Sequence, residues 1–241
     1  MTKLHEVFRQ KKVFLPVIHP AHGEDGVFKA IDIALNAGAH GVFVINQGMD
    51  IDPLLNCSVK IKRIYPDLWL GVNLLGLSPV ETLDYAHLFD GIWVDDCGVD
   101  NQLSEEELTV GGYRFLETKE NWNGLYFGGT AFKTQRQITE QATLNAVAKR
   151  AGALTDIVTT SGRATGVAAS EEKIKAMRAV LGPSVPIGIA SGVTPENIEK
   201  YLNDADVFLV ASGIEKSFGI FDKNKVEKLS NKIKEQNDKI T

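Results

Sequence analysis

Three Ser-Gly pairs give the clearest chemical signal in the sequence, because each of them ends a short apolar segment. They are Ser161-Gly162, Ser191-Gly192 and Ser212-Gly213. Glycine lets the backbone turn tightly beside a ligand, and exposed N–H groups at such turns can bind phosphate oxygens. One pair would be ordinary turn chemistry, but three at consecutive strand ends favour a phosphate site. We expect residues 213–217 to supply a short helix whose N-terminus assists this site.

Two adjacent carboxylates and a lysine follow other apolar segments and are the candidate catalytic residues. Asp95 and Asp96 could act as acid/base groups or as metal ligands, although a loop or helix-capping role remains open. Neighbouring strand residues point to opposite faces, so we expect only one of the two to face the site. Lys133 could neutralise a phosphate or act as an amine nucleophile, or simply be a solvated lysine. Asp100 could join the carboxylates in a divalent-cation site.

Four further polar residues close apolar segments and are predicted to bind substrate: His19, Asn46, Asn73 and Arg163. The two amides suit a sugar hydroxyl or a base edge, or they tie loops together. His19 with His22 could bind a metal or transfer protons, but the spacing equally fits a hydrogen-bonded loop histidine. We predict no cofactor and no resident metal, with a divalent cation as the open alternative.

Eight short apolar segments must position these side chains. Each has about 4–6 residues rich in Val, Ile, Phe and Leu without polar alternation, which is typical of a parallel strand buried on both faces. They lie at residues 13–19, 41–46, 69–75, 91–96, 125–132, 156–162, 185–192 and 206–213. Eight strand–helix units in 241 residues predict an α/β fold, a closed (β/α)8 TIM barrel. A doubly wound open sheet of this size has fewer strands.

Amphipathic or capped segments between the strands predict helices. These cover residues 27–36, 137–150, 171–181 with Ser170 as N-cap, a helix opened by Thr194-Pro195, and residues 226–234. The unit at residues 97–123 is the least regular, and we expect a loop excursion and a helix there. We predict a single domain over residues 1–241, with a lead-in at 1–11 and a frayed tail at 235–241.

Composition excludes several classes of protein. The chain is 44% hydrophobic with a mean hydropathy of −0.08, which excludes wholesale disorder. No apolar stretch is long enough to span a membrane, and the N-terminus lacks the apolar core of a secretory signal. A net charge of −5 with dispersed basic residues argues against nucleic-acid binding. Two cysteines, Cys57 and Cys97, form no disulfide framework, so we expect a cytoplasmic protein.

Four segments make the chain resemble the BtpA/SgcQ family, which is named after a photosystem I biogenesis factor and a nucleosidase. The segments read Gly-Val-Asn-Leu-Leu at 71–75, Ser-Gly-Arg-Ala-Thr-Gly at 161–166, Ser-Gly-Val-Thr-Pro-Glu-Asn at 191–197 and Val-Ala-Ser-Gly-Ile-Glu-Lys-Ser-Phe-Gly at 210–219. The likeness covers nearly the whole chain and is strongest over residues 156–222. Residues 46–50 are similar to the family's Glu-Asn-Phe-Gly-Asp loop. The resemblance implies a barrel of the ribulose-phosphate-binding kind.

The chain departs from the family pattern in the middle of the barrel. Where the family's fourth strand ends Arg-Val-Asn, this chain has Trp-Val-Asp-Asp at 93–96. Where the fifth ends Lys-His, this chain has Gly-Gly-Thr-Ala-Phe-Lys at 128–133. The phosphate end is therefore kept, whereas the catalytic middle is different.

These features lead to a leading hypothesis and two alternatives. The first is an enzyme that acts on a phosphorylated sugar or nucleoside-type substrate, with glycosidic-bond cleavage favoured because a carboxylate can stabilise an oxocarbenium ion. The alternatives are a non-catalytic assembly or stability factor for a membrane complex, and phosphoribosyl transfer to a nucleobase. We expect a phosphorylated small-molecule partner and a homodimer, the commonest oligomer.

Overall fold

Eight parallel strands form a closed barrel in the computed structural model, which describes residues 1–99, 116–117, 119–120, 122–135 and 138–240. The strands are β1 Val13–Ile18, β2 Val42–Ile45, β3 Leu70–Asn73, β4 Gly91–Val94, β5 Leu125–Gly129, β6 Ile157–Thr160, β7 Ile187–Ala190 and β8 Val207–Val210. Every residue of these strands is buried, as a parallel sheet covered on both faces requires. The predicted (β/α)8 barrel is confirmed, and each of the eight predicted segments contains a strand.

Helices cover the outside of the barrel. Those of the described residues are α1 Lys3–Phe8, α2 Gly23–Asn36, α3 Ile51–Ile64, α4 Pro79–Leu83, α5 Gln141–Leu154, α6 Glu171–Leu181 and α7 Lys223–Ile240. The α6 helix begins where predicted, because the Ser170 hydroxyl accepts the N–H of Lys173. The excursion predicted within residues 97–123, and Asp100 with it, falls largely outside the described residues. Of the helices described, none has the length and apolar character needed to cross a bilayer.

Two predicted helices are wrong. After Thr194-Pro195 the chain forms only a 3₁₀ turn, Ile198–Lys200, because the Asn197 side chain accepts the N–H of Thr194 and donates to the carbonyl of Gly192. Residues 213–217 form no α-helix either. They give a 3₁₀ turn, Ser212–Ile214, followed by the strand β9 Glu215–Ser217, which pairs with β10 Ile220–Phe221.

The frayed tail predicted for residues 235–241 is also wrong over its described part, since α7 runs on to Ile240. The anchor is Asn237, which is 5% exposed. Its Oδ1 accepts the backbone N–H of Lys12 and its Nδ2 donates to the carbonyl of Lys12, both at 2.8 Å. The polar composition of residues 235–241 predicted fraying, but the buried amide of Asn237 fixes α7 to the residue before β1.

Replacing Asn237 with alanine should destabilise the protein by about 1–3 kcal/mol, because two buried backbone groups of Lys12 lose their partner. The measurement is the free energy of unfolding in urea. The exposed Asn231 lies on the same helix, and its replacement with alanine should change that free energy by less than about 0.5 kcal/mol. Equal effects of the two substitutions would contradict this role of Asn237.

The two faces of each strand fill two separate apolar clusters. Trp93, Phe127 and Ile157 belong to the inner cluster inside the barrel, whereas Val94 and Val158 pack outward against the helices. This alternation is the period of two that a strand imposes. At the N-terminal end of the barrel, Leu4 of α1 is fully buried in the inner cluster. The opposite end, where the strands finish, is called the mouth below.

Candidate functional site

Asp95 is the carboxylate that faces the mouth. Because Trp93 points inward and Val94 outward, the alternation directs Asp95 inward and Asp96 outward. The Oδ1 atom of Asp95 accepts a hydrogen bond of 3.0 Å from Nδ2 of Asn73, and Asn73 is 2% exposed. Asp96 is exposed, and its Oδ1 accepts the N–H of Gly98 at 2.8 Å. Asp96 is therefore a turn residue.

The surroundings of Asp95 shift its pKa in opposite directions, and the rise prevails. Burial is the largest influence and raises the pKa of Asp95 above its ordinary value of 3.8, and the charge of Asp96 adds to the rise. The Asn73 hydrogen bond and the positive charge of Lys133 oppose the rise without cancelling it. A cavity of about 340 Å³ between the loops after β3 and β4 is lined by Asp95 and by Asp96. A carboxyl with a raised pKa beside a cavity is suited to donate a proton.

Lys133 and Ser161 meet at the mouth between β5 and β6. The Nζ atom of Lys133 lies over the Phe132 ring, 6.0 Å from its centroid, and its charge acts on Asp95. The backbone N–H of Lys133 donates to Oγ of Ser161 at 2.8 Å. Ser161 is fully buried and its hydroxyl donates to the carbonyl of Gly162. The Ser161 side chain is therefore engaged within the protein, whereas the positive charge of Lys133 acts to lower the pKa of Asp95.

The three Ser-Gly loops pack directly on one another, and Gly192 and Gly213 make the contacts between them. A Cβ on Gly192 would lie 2.1 Å from the backbone N of Ala168, in the loop after β6. A Cβ on Gly213 would lie 1.9 Å from the carbonyl O of Val193, in the loop after β7. A Cβ on Gly162 would lie 2.1 Å from the carbonyl O of Val167, which belongs to the same loop. Each loop thus rests against the next, and Gly213 adjoins the residue that follows Gly192.

Three backbone N–H groups at this junction belong to residues of different exposure, since Gly192 is buried, Gly213 half-buried and Ser212 exposed. Within the described part of the chain, the N–H groups of Gly192, Ser212 and Gly213 meet no hydrogen-bond acceptor. Ser191 has φ of 106°, a conformation that residues other than glycine rarely adopt. Its Oγ accepts the N–H of Gly166 at 3.0 Å. Strain of this kind persists only where surrounding contacts hold it, and it concentrates at functional loops.

Two of the predicted substrate-binding side chains are bonded within the protein. The Asn46 side chain accepts the N–H and donates to the carbonyl of Leu75, so it ties the loop after β2 to the loop after β3. The Nδ1 atom of His19 lies 2.8 Å from Oε1 of Glu215, and its ring stacks on Phe218 with 4.5 Å between centroids. His19 therefore fixes the β9–β10 hairpin against the loop after β1.

Lys173 is a mouth residue that the strand-end reading of the sequence missed, because it lies on α6. Its Nζ donates to the carbonyl oxygens of Ala131 and Ser161. Helical side chains tilt toward the helix N-terminus, which directs a residue in the first turn back to the strand ends. Lys173 and the exposed Arg163 border a cavity of about 700 Å³ beside the loop after β6. The signal in the sequence was Ser170, because this N-cap places Lys173 in the first turn of α6.

Burial lowers the pKa of Lys173 from 10.5 to about 8, which predicts a pH dependence of stability. Between about pH 8 and 10.5 the unfolded chain keeps a proton that the folded chain has lost, so the free energy of unfolding rises with pH through this window. The rise attributable to Lys173 is at most about 4 kcal/mol, since one pKa unit corresponds to about 1.4 kcal/mol. In K173M, the free energy of unfolding measured in urea should not show this rise with pH. An unchanged slope in K173M would contradict the assignment.

The described residues contain no group of three or more side chains that could hold a metal ion. His19 and His22 do not share a ligand site, because His22 Nε2 lies 3.1 Å from the carbonyl of Phe218 while His19 bonds to Glu215. Asp100 lies outside the described residues, so the divalent-cation hypothesis that included it stays a prediction.

Comparison with solved structures places the fold among known barrels. Phosphoribosyl anthranilate isomerase from Thermus thermophilus matches with a TM-score of 0.63 and 14% identity, covering 93% of this chain and 98% of that one. Tryptophan synthase subunit alpha from Legionella pneumophila strain Paris matches with a TM-score of 0.65 and 12% identity, covering 98% and 99%. A phosphoribosyl anthranilate isomerase in complex with reduced 1-(o-carboxyphenylamino)-1-deoxyribulose 5-phosphate has a TM-score of 0.59 and 12% identity, covering 92% and 99%. Identities this low show the fold alone.

Sequence comparison gives one family. No curated protein matches the chain significantly. The model of the BtpA family matches residues 130–235, a region that runs from the end of β5 into α7 and contains all three Ser-Gly loops. The resemblance to the BtpA family is thus confirmed over residues 130–235, on a (β/α)8 barrel.

Proposed function

We propose that the protein is an enzyme that cleaves the glycosidic bond of a phosphorylated sugar or nucleoside-type substrate. One observation carries the proposal: a buried carboxyl of raised pKa, Asp95, faces the same mouth to which the Ser-Gly loops belong. Functional groups of (β/α)8 barrels lie at this end, and the loops after strands 7 and 8 frequently bind phosphate.

The phosphate half of the proposal rests on the loops after β7 and β8. Gly192, Ser212 and Gly213 have N–H groups without an acceptor among the described residues, and such groups bind phosphate oxygens well. The substituted deoxyribulose 5-phosphate named for one solved structure of similar fold agrees with a phosphate-bearing ligand in this fold. The Ser161 hydroxyl is engaged elsewhere, so we assign the phosphate to the N–H groups rather than to that side chain.

The chemical half rests on Asp95 and its two neighbours. Protonated Asp95 would donate its proton to the leaving group as the glycosidic bond breaks, and the sugar would gain oxocarbenium character. A water molecule from solvent would then bond to the anomeric carbon and lose a proton to solvent, from which Asp95 regains its own. Asn73 fixes the carboxyl by its hydrogen bond. The positive charge of Lys133 stabilises the Asp95 carboxylate after Asp95 has given up its proton.

Cleavage of nucleoside 5′-monophosphates tests the proposal most simply. Incubation with a monophosphate and with the matching nucleoside, followed by chromatography of the released base, compares substrates that differ only in the phosphate. We expect release from the monophosphate to be faster by at least about tenfold, which corresponds to about 1.4 kcal/mol of phosphate binding. Equal rates for the two compounds, or no release from a panel of monophosphates, would contradict the proposal.

A further inference from the structure

Two polar side-chain atoms inside the barrel are buried without a hydrogen-bond partner among the described residues. They are Nε1 of the Trp93 indole and Oγ1 of Thr159. Trp93 is 6% exposed and Thr159 is fully buried. Buried polar groups nearly always have partners, and each exception calls for an explanation such as a functional role. Two exceptions inside one barrel call for a common explanation.

Strand register places Trp93 and Thr159 in the same layer of the barrel interior. Trp93 pairs with Phe127 of β5, and Gly129 of β5 pairs with Thr159 of β6. The two residues are therefore offset by two positions across two strands. An eight-stranded barrel with a shear of about eight requires this offset between side chains at one height. The ring of Phe43 belongs to the same layer and contacts Trp93 edge-on, with 5.9 Å between centroids.

The layers above this pair lead to the candidate catalytic carboxyl. The same offset puts Asp95, two residues beyond Trp93, in the layer nearest the mouth. Between the two lies a layer that contains Val17, Asn73, Gly129 and Ala190, by the pairing of the strands and the inward positions of Val17 and Ala190. Gly129 and Ala190 are the small residues of this layer. The space beneath Asp95 is thus bordered by an amide, a valine and two small residues, with the Phe132 ring packed on Trp93 at 6.0 Å between centroids.

We propose, on the basis of the proposed function, that Trp93 Nε1 and Thr159 Oγ1 bind a hydroxyl oxygen of the sugar on the interior side of Asp95. The indole N–H can only donate, so its partner must be an acceptor, whereas the threonine hydroxyl can donate or accept. A sugar hydroxyl satisfies both. The surrounding inner cluster is apolar, so a charged group there would be buried without a counter-charge. The substrate class is then a phosphorylated sugar whose neutral hydroxyl reaches past the carboxyl.

The test uses ribose 5-phosphate and inorganic phosphate as probes, with ¹⁵N-labelled indole groups observed by NMR. The chain has three tryptophans, Trp69, Trp93 and Trp122. The variants W69F, W93F and W122F each remove one indole N–H resonance and thereby assign all three. Ribose 5-phosphate should move the Trp93 indole resonance, and inorganic phosphate should not. Calorimetry should show that T159V and W93F each lower the affinity for ribose 5-phosphate by about tenfold, which is the contribution of one hydrogen bond. The affinity for inorganic phosphate should stay unchanged. W69F is the matched control, because it alters a ring that packs against Phe8 at a tilt of 56° at the N-terminal end.

Each outcome decides between the two proposals. If ribose 5-phosphate binds the wild type while the Trp93 resonance stays fixed and T159V binds equally well, the inference is overturned and the proposed function stands. In that case the two atoms serve a buried water instead. If neither probe binds the wild type, the proposed function fails and the inference fails with it. Thr159 Oγ1 has no partner among the described residues, so T159V loses no hydrogen bond within the protein. Without ligand, its unfolding temperature should therefore be at least that of the wild type. A lower temperature would indicate a structural role and also overturn the inference.

Discussion

Replacing Asp95 with asparagine should reduce glycosidic cleavage by about 100- to 10,000-fold, the range that a positioned general acid contributes. The amide keeps an acceptor for Asn73 Nδ2 but has no proton to deliver, so the loss should appear in kcat. Because the pKa of Asp95 is raised by burial, wild-type cleavage should fall as the pH rises through that pKa. The residual activity of D95N should lack this decline. Steady-state kinetics between pH 4 and pH 8 measure both effects.

Asp96 provides the matched control for this substitution. It carries the same carboxyl one residue later but is exposed and bonded to the N–H of Gly98. D96N keeps that acceptor, and its loss of kcat should be a small fraction of the loss in D95N. If D96N were the more damaging substitution, or if D95N retained full activity, the assignment of Asp95 as the acid would be wrong.

Replacing Gly192 with alanine should lower the free energy of unfolding by about 2–5 kcal/mol and abolish phosphate binding. The new Cβ would lie 2.1 Å from the backbone N of Ala168, so the loops after β6 and β7 must separate. The residue also has φ of 74°, which disfavours any side chain. Overpacking and backbone strain each cost roughly 1–3 kcal/mol. Urea unfolding and calorimetry with inorganic phosphate measure the two effects.

Gly213 and Gly23 separate these two causes. Gly213 has an ordinary φ, but its Cβ would lie 1.9 Å from the carbonyl O of Val193. G213A should therefore lose phosphate binding through the contact alone. Gly23 has φ of 67° with no atom within 4 Å of its Cβ position, so G23A should show only the strain, about 1–2 kcal/mol. Phosphate binding that survives in both G192A and G213A would exclude the packed loops as the phosphate site.

The strands could be predicted from the sequence because burial on both faces leaves a composition that few other structures share. The eight apolar segments at residues 13–19 to 206–213 each contain a strand. Helix boundaries that depend on one local bond, such as the Ser170 cap, could also be predicted from the sequence. The end of α7 could not be predicted, since Asn237 is buried only because β1 starts beside it. That contact joins residues far apart in the chain, and local composition carries no trace of it.

The site was predicted in outline but not in detail. The sequence indicated that one of Asp95 and Asp96 faces the mouth, but the choice requires knowing that Trp93 points inward. Asn46 and His19 were read as substrate-binding side chains, and their partners Leu75 and Glu215 come from other loops. Lys173 was missed because it reaches the strand ends from a helix. Tertiary contacts, rather than residue type, decide whether a polar strand-end residue is free.

A structure with ribose 5-phosphate bound would locate the phosphate site. We expect phosphate oxygens about 2.7–3.2 Å from the backbone nitrogens of Gly192 and Gly213, with the sugar directed toward Asp95. Phosphate density at the N-terminal end of the barrel, near Lys11 and Lys12, with the Ser-Gly loops empty at saturating ligand, would contradict this expectation.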